Sequence, residues 1–283
     1  MANLFSGLEA FGLGKMANME VYATDEKNNK KSSQQEESEK NVVVEADYLF
    51  DKSFTCPVCD KEFKSKTVKT GKVKLVSADS DLRPKYQNVD SLKYDAIVCP
   101  HCGYGALNRF FNYVTSVQGK LIREQISSSF KGISVDGDSY SYEDAIARHK
   151  LALVNTIVKR SKLSERAYTC LKTAWLLRGK CESILEEKGN KLSDGDKATI
   201  KALQLEELDF ITKAYEGFLE AFSKEMFPMC GMDEHTTTYL VADLAKRIGK
   251  YDEASRWISK VLIARDANER IKSKARELKD SLK

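Results

Sequence analysis

Apolar and polar positions divide the chain into three unequal stretches. Ahead of residue 24, Leu4, Phe5, Leu8, Phe11 and Leu13 recur at roughly helical spacing, but Gly7, Gly12 and Gly14 interrupt them. That pattern suits a short flap tucked on the body better than a docking peptide for a partner. Residues 24–40, TDEKNNKKSSQQEESEK, carry no aliphatic or aromatic side chain and cannot offset the entropy of ordering, so a flexible linker is expected over 24–45. Between residues 54 and 113 the alternation has period two. Phe63 to Val68 and Lys72 to Val76 read as the two strands of a hairpin turning near Thr70-Gly71.

From about Ala106 the period changes to that of helices and stays there. Ser141-Tyr-Glu-Asp144 and Ser193-Asp-Gly-Asp196 are candidate capping boxes. After the second, Ile200, Leu203, Leu208, Ile211, Tyr215, Phe218 and Phe222 recur every three to five residues. The run reads as one long amphipathic helix of about 50 Å or two joined by a bend. Trp175, Trp257, Tyr215 and Phe218 fall at core spacing. TYLVADLAKRIGKYDEASRWISKVLIARDAN then places small Ala242 and Ala254 on two helices with Gly249 in the turn. That hairpin resembles a tetratricopeptide repeat, although Thr238 or Tyr239 and Asp266 replace the usual aromatic and closing proline. LVNTIVKRSKLSERAYTCLKTAWLLR matches more loosely, so a few irregular hairpins are expected rather than an array.

Composition narrows the function classes. Seven cysteines are an odd number, and Cys170, Cys181 and Cys230 stand alone in helical stretches, which is a reduced-compartment pattern. The first residues lack a basic, then apolar, export signal, and no run nears eighteen apolar residues. A cytoplasmic chain outside the membrane is the expectation. Net charge is +4, with the acidic excess at the front: residues 1–55 hold 6 basic and 10 acidic side chains, and residues 56–113 hold 10 and 6. Lys61, Lys64, Lys66, Lys69, Lys72 and Lys74 decorate the expected hairpin, with Asp79 and Asp81 placed to neutralise part of that charge. They read as a solvated edge protected by charge, or as the contact of a nucleic-acid-associated protein. No aromatics alternate with them as a base-stacking platform would require.

The sharpest chemistry lies in two C-x2-C pairs. Cys99-Pro100-His101-Cys102 alone admits a redox disulfide or half of a metal site. Gly103 and Gly105 follow it where a redox motif would start a helix, and Cys56-Pro57-Val58-Cys59 matches it upstream. Four thiolates on two tight turns point to a structural tetrahedral zinc ion bound by Cys56, Cys59, Cys99 and Cys102. The 39 residues between the pairs exceed the usual span of about fifteen to twenty, so VSADSDLRPKYQNVDSLKYD forms an excursion. His101 reads as a surface or supporting residue, since Cys102 already supplies the ligand.

CPVCDKEFKSKTVKTGKVKLV, DSDLRPKY with Asp79, Asp81 and Tyr86, YDAIVCPHCGYGA with Tyr94 and Tyr104, and YLVADLAKRIGKYDEA occur in that order. This order resembles the bacterial family catalogued as domain of unknown function 2225, over residues 45 to 265. The resemblance implies a metal-binding ribbon joined to repeat-like helices and carries no established activity.

The fold class expected is α+β, mostly α: a four-cysteine zinc-ribbon module over 46–113, then a tetratricopeptide-like helical domain over 114–283, preceded by the apolar segment 1–23 and the linker. The function expected is a non-enzymatic protein-interaction scaffold whose helices take an unknown protein or peptide partner. Nucleic-acid association through the lysine hairpin and the basic C-terminal helix, whose stretch from Arg256 holds 9 basic and 4 acidic residues, is the alternative. An enzyme built on Asp79, Asp81, His101 and Tyr104 ranks last, because His101, His149 and His235 are scattered and no nucleophile has an adjacent base.

Overall fold

The computed structural model describes residues 7–14, 44–134 and 137–282. The expected linker over 24–45 lies almost wholly outside those residues, as does most of the segment 1–23. What is described of the front segment packs on the body: a 3-10 turn, Leu8–Phe11, leads to Leu13, which is buried in the main core, and Lys131 N–H donates to the Phe11 carbonyl at 2.9 Å.

Six short strands among the described residues form three separate antiparallel pairs. β1 (Leu49–Thr55) pairs with β2 (Glu62–Val68), from Leu49 opposite Val68 to Thr55 opposite Glu62. β3 (Leu75–Ala78) pairs with β4 (Pro84–Tyr86), and β5 (Ala96–Val98) with β6 (Gly105–Leu107). The hairpin expected between Phe63 and Val76 therefore does not form. β2 turns back on β1 across the first cysteine pair, and Thr70–Lys72 make a 3-10 turn leading away from it. The first C-x2-C turn, closed by the Asp60 N–H bond to Cys56 O and the Cys56 N–H bond to Lys61 O, reverses the chain and pairs β2 with the upstream strand.

Seven α-helices follow among the described residues. α1 (Ser116–Ile122) runs into a π-helical turn, Arg123–Ser127. α2 is Tyr142–Val158, α3 Leu163–Lys188, α4 Asp194–Lys224, α5 Glu234–Arg247, α6 Tyr251–Ile263 and α7 Glu269–Asp280. Both expected capping boxes are formed: Ser141 and Asp144 close the start of α2, and Ser193 and Asp196 that of α4. α4 is one unbroken helix of 31 residues. α5 and α6 form the expected hairpin, with Ala242 and Ala254 fully buried and Gly249 at φ +79° in its turn.

One hydrophobic core runs from the cysteine turns to the last helix. Cys56, Val58, Ile97 and Tyr104 belong to the same cluster as Leu151, Leu171, Trp175, Phe218, Leu240 and Val261. Trp175, Tyr215 and Phe218 lie in that core as their spacing suggests, whereas Trp257 is only partly buried at its edge. α2 and α3 carry the body, burying side chains around nearly their whole circumference over 151–158 and 166–177. No helix among the described residues is long and apolar enough to cross a membrane.

Candidate metal centre

Each cysteine pair sits in the turn of its own hairpin, Cys56 and Cys59 between β1 and β2, and Cys99 and Cys102 between β5 and β6. The two turns share one hydrogen-bond pattern. Cys56 N–H donates to Lys61 O at 3.0 Å and Asp60 N–H to Cys56 O at 2.9 Å; Cys99 N–H donates to Tyr104 O at 2.8 Å and Gly103 N–H to Cys99 O at 3.1 Å. The residue after each second cysteine takes a left-handed backbone, Asp60 at φ 59° and Gly103 at φ 71°. Gly103 is under a second constraint. A Cβ there would lie 2.6 Å from Phe130 Cγ, so only glycine fits without a shift.

The geometry brings all four sulfurs together. They lie within 4.8 Å of one another, with Cys56 Sγ 3.6 Å from Cys102 Sγ and Cys59 Sγ 3.7 Å from Cys99 Sγ. A tetrahedron with metal–sulfur bonds of about 2.3 Å has edges of about 3.8 Å, so these separations fit a four-thiolate shell. Cys56 and Cys99 are fully buried and Cys102 nearly so, while Cys59 is partly exposed. The four cysteines form a candidate metal site, and no other group of three or more His, Cys, Asp or Glu among the described residues draws its ligand atoms together. The Cys102 and Cys56 thiols and the N–H groups of His101 and Cys102 bring Cys99 down to about 2, against the effect of burial. Contacts with Cys56 and Cys99, with burial, push Cys102 upward.

The helices clamp this centre from behind. Arg123 Nη1 donates to Val58 O at 2.6 Å, Ser127 Oγ to Cys102 O at 2.8 Å, and Asn155 Nδ2 to Gly103 O at 2.9 Å. Close by, Phe54, Phe63 and Phe111 meet at ring separations of 5.7 to 5.9 Å, and Tyr104 lies 5.0 Å from Phe111.

The other residues singled out from the sequence go elsewhere. His101 is exposed, with Nε2 3.2 Å from Glu62 O. Tyr104 is fully buried and donates its hydroxyl to Phe111 O at 2.8 Å. Asp79 and Asp81, on the loop between β3 and β4, neutralise arginines of the helices rather than the lysine-rich strand. Asp81 is fully buried, 2.6 Å from Arg178 Nη2 and 3.3 Å from Arg247 Nε, and accepts from Trp175 Nε1 at 3.1 Å. Burial alone would raise its carboxyl, but Arg178, and Arg247 beyond it, hold it below the ordinary value. Asp79 pairs with Arg178 at 2.9 Å, and Tyr239 donates to Ser80 O at 2.7 Å. The DSD motif thus fastens the front lobe to α3 and α5. A reading of the sequence misses those partners because they lie about a hundred residues or more downstream and carry no local signature.

The lysines also redistribute. Lys66 meets Asp51 at 3.1 Å, Lys64 stands opposite Ser53, and Lys72 and Lys74 lie outside the β1–β2 pair. No two of these lysines face each other across the β1–β2 pair.

A cysteine-knuckle lobe clamped onto a mostly helical body defines the class of protein. The chain belongs to an uncharacterised family of proteins conserved in bacteria, domain of unknown function 2225, whose profile matches residues 49–282. No curated protein and no solved structure matches the chain.

Proposed function

We propose that the protein is a non-enzymatic interaction scaffold in which a structural zinc ion fixes the front lobe and the tetratricopeptide-like helices take an apolar segment of a protein partner. Four thiolates close the coordination shell and leave no position for a reacting water, which supports a structural role for the ion and zinc as its identity.

The observation that carries the partner reading is a groove between α4, α5 and α6. It has a volume of about 400 Å³ and is lined by Phe222, Trp257 and Ile263, with His235 and Lys260 at its sides. Ile263 is 79% exposed, and Met226, next to the Phe227 that packs on Phe222, is 86% exposed. Lys260 lies 4.0 Å over the Trp257 ring and pairs with no carboxylate among the described residues. An aliphatic or aromatic side chain flanked by an acidic residue complements that surface.

The test is a photo-crosslinking residue at position 263, introduced in the zinc-loaded chain in bacterial cells. A discrete protein adduct that disappears with Lys260→Glu is expected. No adduct, or an adduct indifferent to Lys260→Glu, overturns the partner reading. Metal analysis of the same purified sample should give one zinc per chain, and iron in its place overturns the metal assignment. The nucleic-acid alternative rests on the basic C-terminal helix rather than on a lysine hairpin, since β2 pairs with β1 instead.

A further inference from the structure

A second concave site lies on the front lobe and shares no lining residue with the helical groove. A cavity of about 240 Å³ opens between the β2–β3 connection and the 3-10 turn Ser91–Tyr94. Its walls include Val68, Val73, Tyr86 and Tyr94, together with Thr67, Thr70 and Ser91. Among the lining residues, Asp95 meets Lys172 of α3 in a close ion pair. The lysine side chain is wholly buried, whereas the Asp95 side chain remains 14% exposed, so Asp95 is the member of the pair nearer to a ligand. Beside it Asn108 is exposed, and its amide hydrogen-bonds to no described side chain, although its backbone N–H donates to Asp95 O at 2.7 Å.

A buried ion pair contributes little net stability and is often replaceable by apolar side chains of similar volume. Here the pair lines a cavity that also holds an amide with no described side-chain partner. Burial raises the Asp95 carboxyl against the pull of Lys172, and burial lowers the Lys172 ammonium to about 8 against the pull of Asp95. A carboxylate held from behind accepts two adjacent hydroxyls side by side, and an amide can both donate to and accept from a third. An anion would meet the Asp95 carboxylate directly, and a cation would meet a carboxylate already neutralised by Lys172, with the Arg109 charge, felt by both groups, adding to its cost. Neutral, hydroxyl-rich ligands suffer neither penalty, and Val68, Val73 and Leu92 among the lining residues offer apolar surface for the carbon face of such a ligand.

We infer that this cavity binds a small uncharged polyol of the monosaccharide class, with Asp95 and Asn108 as the recognising groups and Lys172 as the residue that positions Asp95. The size of the cavity suits one ring rather than a chain.

Saturation-transfer NMR on the metal-loaded full chain, with glucose, galactose, mannose, ribose and myo-inositol each as the probe, tests this. At least one probe should show transfer that Asn108→Ala lowers at least fivefold, while the variant keeps its circular dichroism and melting temperature. Lys172→Met should weaken the same probe while leaving Asn108 contacts in place; if that variant does not fold, Asn108→Ala decides alone. Absence of transfer from every probe at millimolar concentration overturns the inference, and so does transfer that Asn108→Ala leaves unchanged. Neither result bears on the groove between α4 and α6, whose test uses a different surface and readout.

Discussion

Asn155, fully buried on α2, donates to the carbonyl of Gly103, the residue that closes the second cysteine turn, at 2.9 Å. Its amide also reaches the Leu151 carbonyl one turn back, also at 2.9 Å, so the amide group is held by two carbonyls at once. The candidate metal centre and the helical body are therefore joined through a residue with little freedom to move. Loss of the ion should be felt at α2.

Replacing Cys99 by Ser should abolish stoichiometric metal and unfold the β1–β2 and β5–β6 lobe. Zinc binding is worth about 10–16 kcal/mol in small finger peptides, comparable with the stability of an entire domain. The far-ultraviolet helical signal should persist while amide signals of residues 49–107 collapse. A variant that keeps both its metal and those signals would refute the coordination assigned to Cys99.

Gly103→Ala and Asp60→Gly probe equivalent positions in opposite directions. The first places a Cβ 2.6 Å from Phe130 at φ 71° and should cost about 1–3 kcal/mol. The second relieves a left-handed aspartate at φ 59° and should change stability by less than about 1 kcal/mol. Urea denaturation of the metal-loaded proteins compares them. Equal losses would show that the two turns differ in a way their matching hydrogen bonds conceal.

Arg178→Met should destabilise the chain by about 3 kcal/mol, the low end of the range for breaking a buried pair, because Arg247 still faces Asp81. Asp81 loses its closest contact, and with no side-chain exposure it keeps Arg247 at 3.3 Å and the Trp175 Nε1 donor. A combined Arg178→Met and Asp81→Leu change should recover much of the loss. If the single change costs under about 1 kcal/mol, the DSD loop is not fastened as described.

Acid should weaken the protein partly through His149. This side chain is fully buried, with Nδ1 2.8 Å from the Ala145 carbonyl and Nε2 without a partner. Burial brings the imidazole down to about 3, with the Ala145 carbonyl opposing and the Lys172 charge adding to the effect. The folded value lies below the unfolded one of about 6.5, so the unfolded chain binds the proton first. The associated stability is complete above about pH 6.5 and drains away as pH falls towards about 3. His149→Gln should flatten the stability–pH curve across that window; an unchanged slope would mean that the imidazole does not stay neutral in the fold.

Much of this architecture is legible in the sequence, and the misses have a common cause. The four cysteines, the capping boxes at Ser141 and Ser193 and the hairpin around Gly249 depend on neighbours within a few residues or on spacing, and a linear reading finds them. β1 is harder to see because only Leu49 of its seven residues is buried, so LFDKSFT shows no clean alternation. Asp81 and Asp95 look like ordinary loop acids, since their partners Arg178 and Lys172 lie 97 and 77 residues away. Those contacts are created by tertiary packing and leave no trace in local pattern.

Gly179 sits in the interior of α3, where glycine costs about 1 kcal/mol relative to alanine. A Cβ there would come within 2.9 Å of the Tyr142 ring and 3.1 Å of Arg83 Nη2. The bare backbone works as a keyway: a tyrosine from α2 and an arginine from just beyond the DSD motif both seat in it, and sliding α3 by a single residue would present them with a side chain instead. That notch helps to set the axial position of α3 against two other elements at once, so filling it to gain helix propensity would push Tyr142 and Arg83 out of their seats.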